Sequence, residues 1–118
     1  MEDTPQEDRI NPQKALRVIA STAPLYAEAK ANRIYVEQYR KSLKAILMKK
    51  ALQRGHEAAV AQEREAYAEE EYVNLLAAIR DAVQAEEALR WKMVAAEAAV
   101  EVWRSLEASN RLMDRGTQ

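Results

Sequence analysis

From Glu70 to about Met113 apolar residues return every three or four positions. Tyr72, Ile79, Met93 and Val100 fall on one seam and Leu75, Ala82, Leu89, Ala96 and Trp103 on the other, with Glu86 in the remaining seam position. Neither Gly nor Pro interrupts the run. A seven-residue repeat of this kind predicts a long helix that lays one stripe against another helix. Upstream, Leu25, Ala29, Val36, Tyr39, Leu43, Ile46 and Leu47 recur at spacings that a helix converts into one stripe, predicting a helix over 24–53. Residues 57–68 read as helix again, with thin apolar content before Tyr67 and Tyr72 and room for a break around Tyr67–Glu71.

The punctuation marks divide these segments. Asn11-Pro12 is a helix start, with Asn capping free amides and Pro placed where its missing N–H costs nothing. It opens a short helix carrying Leu16, Ile19 and Ala20. Thr22-Ala23-Pro24 repeats the signal and predicts a break, because a residue before Pro is pushed out of the helical region. Gly55, behind Lys49, Lys50 and Arg54, marks the end of the basic helix, where cations suit the negative end of the helix dipole. The expected fold is therefore all-α: a short N-terminal helix, a long basic helix and a very long C-terminal helix in an antiparallel hairpin or coiled-coil bundle. One helical domain spans 12–113, between a disordered acidic tail at 1–11 and a short tail at 114–118. At 1.5 Å per residue the C-terminal helix extends about 65 Å against about 45 Å for the basic helix, so it overhangs the hairpin. Self-association, with a dimer favoured, is the simplest way to cover the overhang.

Composition narrows the picture. The chain has 118 residues, two Gly, three Pro, no Phe and no Cys, which favours helix and excludes disulfide frameworks and thiolate metal sites. No apolar run reaches a membrane span and the N-terminus is acidic, so the expectation is a cytoplasmic protein that does not enter a membrane. The net charge of −1 conceals four blocks: residues 1–12 carry −3, 13–54 carry +8, 55–101 carry −7 and 102–118 carry +1. A basic helix is followed by an acidic one.

The chemistry-bearing residues are sparse. His56 is the only histidine and sits in the proposed turn, without the convergent ligands a metal site needs. Glu69, Glu70 and Glu71 splay about 100° apart on a helix and read as a solvated charge run. No nucleophile, phosphate-loop or metal-ligand pattern occurs, so no catalytic residue, cofactor or metal is expected and the chain is not read as an enzyme. Glu86, on the seam, has Arg90 four residues on. An i,i+4 pair at an interface edge is the favoured reading and a register device in a dimer seam the sharper one. Trp91 and Trp103 lie about 120° apart round the helix, so Trp103 joins the stripe and Trp91 faces elsewhere. Trp91, Trp103, Arg90 and Glu86 form a candidate partner interface. Lys30, Arg33, Arg40, Lys41 and Lys44 share an arc beside the apolar stripe of the basic helix. Two uses compete for them, register pairing with the acids of 57–101 and binding of nucleic-acid phosphates, and the compensating charge favours the first.

Ala66-Tyr67-Ala68, Leu89-Arg90-Trp91, Glu101-Val102-Trp103-Arg104-Ser105 and Glu107-Ala108-Ser109-Asn110-Arg111 resemble small helical proteins of bacteriophages and prophages, often encoded near single-strand annealing or recombination genes. The resemblance covers roughly 14–115 and is strongest in the last third. Other members have a loop-forming residue after Ala-Tyr-Ala, where this chain has Glu69-Glu70-Glu71. The resemblance implies a phage protein in the host bacterial cytoplasm with a role near DNA metabolism, and it carries over no catalytic residues. The leading expectation is a homo-oligomeric adaptor that binds a protein of phage recombination or replication through Trp91 and its flank. Direct nucleic-acid binding through the basic helix is the alternative. Anti-defence inhibition of a bacterial immune complex is a further one that rests on no particular residue.

Overall fold

Asn11 begins the first helix as its side chain dictates: its Oδ1 accepts the backbone N–H of Lys14 at 3.1 Å, with Pro12 as the first helical residue. The computed structural model describes residues 9–116. It contains three helices, α1 (Pro12–Gln53), α2 (Ala59–Ala68) and α3 (Glu70–Gly116), and no strand among the described residues. The all-α expectation is met. Most of the tail expected at 1–11 lies outside the described residues, as do 117 and 118, while 114–116 continue α3.

The break expected at Thr22-Ala23-Pro24 is absent, for α1 runs through it with Pro24 inside. An interior Pro costs about 3 kcal/mol in a lost hydrogen bond and a steric clash. Here its ring lies on the exposed side, while Ala15 and Thr22 before it are buried and Tyr26 and Ala29 after it are half-buried in one continuous helical phase. Packing on both sides of Pro24 outweighs the local penalty. The expected overhang shrinks accordingly: α3 has 47 residues and α1 has 42, a difference of five.

Gly55 ends α1 as the sequence requires. Its φ of +104° is a left-handed conformation that L side chains rarely adopt. It lets His56 N–H reach Ala51 O at 3.1 Å and Gly55 N–H reach Leu52 O at 3.0 Å, the paired bonds of a Schellman cap. His56 is thus a half-buried turn residue. The second break falls at Glu69, whose extended backbone (φ −66°, ψ 139°) closes α2. Its carbonyl accepts the N–H groups of Tyr72 and Val73 at 3.1 Å, opening α3, with Glu70 and Glu71 in a first turn that favours negative charge.

The chain divides into two compact units, and both long helices contribute to each. Unit 1 comprises the described residues up to Tyr26 and those from Ala88 onward. In it Ile10 lines a recess with Trp103 and Leu106, and Ala15 and Val18 line another with Lys92 and Ala96, so the segments run antiparallel. Unit 2, Ala27–Glu87, holds the main apolar cluster: Leu43 and Leu47 of α1, Ala66 of α2 and Tyr72 of α3, with Met48 and Leu75 against it. The predicted α3 seam is correct at every position. Tyr72, Ala82, Glu86 and Ala96 are buried and the other six residues half-buried. The predicted α1 stripe, by contrast, divides. Leu43 and Leu47 are buried and Ala29 and Val36 half-buried, whereas Leu25, Tyr39 and Ile46 stay exposed, because one facing helix covers only a narrow arc.

Candidate functional site

Glu86 is 6% exposed, and a carboxylate at that depth needs partners. Arg33 supplies them from α1: Nε donates to Oε2 at 2.6 Å and Nη2 to Oε1 at 3.0 Å, a two-bond fork. Nη1 of the same guanidinium donates to Glu37 at 3.1 Å. The Glu86 carboxylate first, and Glu37 second, raise the Arg33 pKa further above its ordinary value. Glu86 therefore belongs to the chain's own α1–α3 seam, not to the edge of an external interface. The pair also takes Arg33 out of the candidate phosphate-binding face.

Lys44 is committed as well. Its Nζ donates to Glu63 Oε1 at 2.8 Å and stands 5.0 Å from the centre of the Tyr67 ring, while Tyr67 Oη donates to the same carboxylate oxygen at 2.8 Å. Lys44 first, and Tyr67 second, hold the Glu63 pKa below the ordinary carboxylate value, and Glu63 first, with Tyr67, raises that of Lys44. Lys50–Glu71 at 3.8 Å from the basic helix and Arg54–Glu69 at 2.7 Å from the turn after it add two more bridges, so the run read as solvated acids is partly engaged.

A pH dependence follows. A carboxylate whose pKa is lowered by folding adds stability above its unfolded pKa, near 4.3, and loses it as pH falls through the folded value. A lysine whose pKa is raised adds stability below about 10.4 and loses it as pH rises through the folded value. The α1–α2 bridge is thus complete from roughly pH 5 to pH 10. The protection of α2 amides, taken relative to the intrinsic exchange rate at each pH, is expected to fall at pH 3 compared with pH 6, and Glu63→Gln is expected to flatten that difference. An acid limb unchanged in Glu63→Gln would assign it to another carboxylate.

Lys30, Arg40 and Lys41 remain exposed. Arg40, Lys41 and Lys44 border a recess of about 290 Å³ with Tyr67 and Tyr72. Of the four residues assigned to a partner interface, Glu86 lies in unit 2 and the other three in unit 1. Trp103 and Arg90 are half-buried, and Trp91 is 58% exposed with the Arg90 guanidinium 4.6 Å from its ring centre.

Trp91 does not stand alone. Ala88, Trp91, Ala95, Ala98 and Val102 are all exposed, and their spacing of three, four, three and four makes a second seam on α3. At 100° per residue Trp91, Ala98 and Val102 lie on the far side of the helix from Leu89, Met93 and Ala96, while Ala88 and Ala95 lie toward its flank, Ala95 lining the recess with Ala15 and Val18 of α1. Arg90, Lys92, Glu97 and Glu101 are interspersed with it. Sequence reading singled out Trp91 and missed the alanines, although their heptad phase was visible; alanine is so common in helices that it draws no notice unless the first seam is already placed. Among the described residues no three of His, Asp and Glu gather as a metal-binding group, and no helix is long and apolar enough to cross a membrane. No protein-family model, curated protein or solved structure matches the chain.

Proposed function

We propose that the protein is a non-enzymatic helical adaptor that receives a partner helix on the outward seam of α3 in unit 1. The observation that carries this reading is the exposed heptad of Ala88, Trp91, Ala95, Ala98 and Val102. Small residues let a second helix backbone approach closely, and a single large aromatic among them supplies the anchor that dominates such interfaces. Arg90, stacked on the Trp91 ring, stiffens the anchor before a partner arrives. The resemblance to phage proteins supplies the class of partner, a protein of recombination or replication in a bacterial host.

A second reading, nucleic-acid binding, draws on the exposed Lys30, Arg40 and Lys41 and on the recess between Arg40, Lys41 and the two tyrosines. Arg33 and Lys44 add little to it, being engaged with Glu86 and Glu63.

One set of variants separates the two. Trp91→Ala is expected to weaken capture of the phage-encoded partner by about 100-fold with helicity unchanged, and Ala95→Arg to do the same. Oligonucleotide anisotropy is expected to show no binding at physiological salt. Capture unaffected by both variants would refute the seam; salt-sensitive oligonucleotide binding abolished by Arg40→Glu and Lys41→Glu would establish the second reading.

A further inference from the structure

Between Ala29 and Met48, all six charged residues of α1 (Lys30, Arg33, Glu37, Arg40, Lys41, Lys44) fall within an arc of about 100°, and the opposite half of the helix carries no charge. That uncharged half presents Tyr35, 68% exposed, with Tyr39 and Ile46 also exposed. The two tyrosine rings stack in parallel at 6.5 Å. α2 occupies the other side of the α1–α3 pair, where Lys44 meets Glu63 and Tyr67 meets Tyr72. The tyrosine side is uncovered.

Counting round each helix from its seam, the same side of α3 carries Asn74, Ala78 and Ala85, all exposed. The antiparallel register set by Arg33–Glu86 and Lys50–Glu71 brings Tyr35 level with Ala85, Ser42 level with Ala78 and Ile46 level with Asn74. Tyr35 and Ile46 on α1 thus stand level with the smaller Ala85 and Asn74 on α3. A two-fold axis running along the helices lays α1 of one copy over α3 of the next at unchanged height, so Tyr35 and Ile46 of one copy meet Ala85 and Asn74 of the other.

Charge selects the same arrangement. Past the uncharged stretch, Lys49 and Lys50 of α1 stand level with Glu71 and Glu70 of α3. An axis along the helices sets these cations of one copy over those acids of the other; the perpendicular axis sets basic helix on basic helix and tyrosine on tyrosine. We infer that this face joins two copies of the chain as a four-helix bundle in unit 2, with Tyr35 and Ile46 of each copy seated against Ala85 and Asn74 of the other. The face is separate from the partner seam of unit 1, so either can fail alone.

The full-length chain is expected to scatter light as twice 13.4 kDa at micromolar concentration. Tyr35→Glu and Ala85→Glu, both at exposed positions, are expected to halve that mass with helical circular dichroism intact, and Trp91→Ala to leave it unchanged. The native chain has no cysteine, which permits a geometric test. Tyr35→Cys and Ala85→Cys, made on separate chains and mixed under oxidising conditions, are expected to cross-link to each other and not each to itself. A monomeric native chain, a mass that Trp91→Ala halves and Tyr35→Glu does not, or self-linking of Tyr35→Cys would overturn the inference.

Discussion

Arg33→Ala is expected to lower the midpoint of thermal unfolding by roughly 10 °C, more than any other single charge removal in the chain. The reason lies in Glu86. A carboxylate 6% exposed has given up most of its hydration, and the fork from Arg33 supplies two short charge-assisted bonds in its place. Removing the guanidinium leaves the desolvation penalty and takes away what offset it. Glu86→Gln is expected to cost less, since the amide keeps an acceptor for Arg33, the buried charge disappears, and Arg33 retains Glu37. The pairing is also expected to be replaceable: Arg33→Met with Glu86→Leu should recover the midpoint or exceed it, because two apolar side chains of similar volume need no compensation. Scanning calorimetry of the four proteins checks the order. A double variant as unstable as Arg33→Ala would mean that the ion pair supplies net stability beyond repairing its own burial.

What the pair adds in any case is register. Sliding α3 by one residue turns each of its faces by about 100°. A single charged residue on an otherwise apolar seam penalises every register but the one in which it meets its partner.

Much of this was legible in the sequence. The α3 seam, Asn11 as cap and Gly55 as terminator each rest on local chemistry or on a period sustained over several turns, and each is present as expected, while the break that the sequence left open around Tyr67–Glu71 falls at Glu69. The Arg33 fork on Glu86 was not legible. The i,i+4 rule looks only to neighbours such as Arg90, and the fork comes from 53 positions away, where only the hairpin register brings Arg33 alongside. The continuity of α1 through Pro24 was hidden for a related reason. Proline signals a local preference, and the packing that overrides it is formed by residues of α3 that a window around Thr22 does not contain. The exposed faces were obscured by averaging. Leu25, Tyr39 and Ile46 were merged with Leu43 and Leu47 into one stripe because all five sit at helical spacings, and only the observed burial separates the half that packs from the half left bare.

That separation makes the neighbouring residues Ile46 and Leu47 a matched pair of probes. Leu47 is 1% exposed in a cluster of four buried residues, and Leu47→Ala is expected to cost about 3 kcal/mol, through lost apolar burial and a cavity that a core this small cannot close. Ile46 is 46% exposed, and Ile46→Ala is expected to cost under about 1 kcal/mol when the chain is dilute and single. The aromatic residues largely report the two units separately: both tryptophans lie in unit 1 with one tyrosine, Tyr26, and the other four tyrosines, Tyr35, Tyr39, Tyr67 and Tyr72, lie in unit 2. In Leu47→Ala the tyrosine signal is expected to melt at a lower denaturant concentration than in the native chain, with the tryptophan signal moving less. Equal shifts of both signals would mean that the long helices carry the loss of four residues' packing through the whole chain, and that the two units unfold as a single cooperative block.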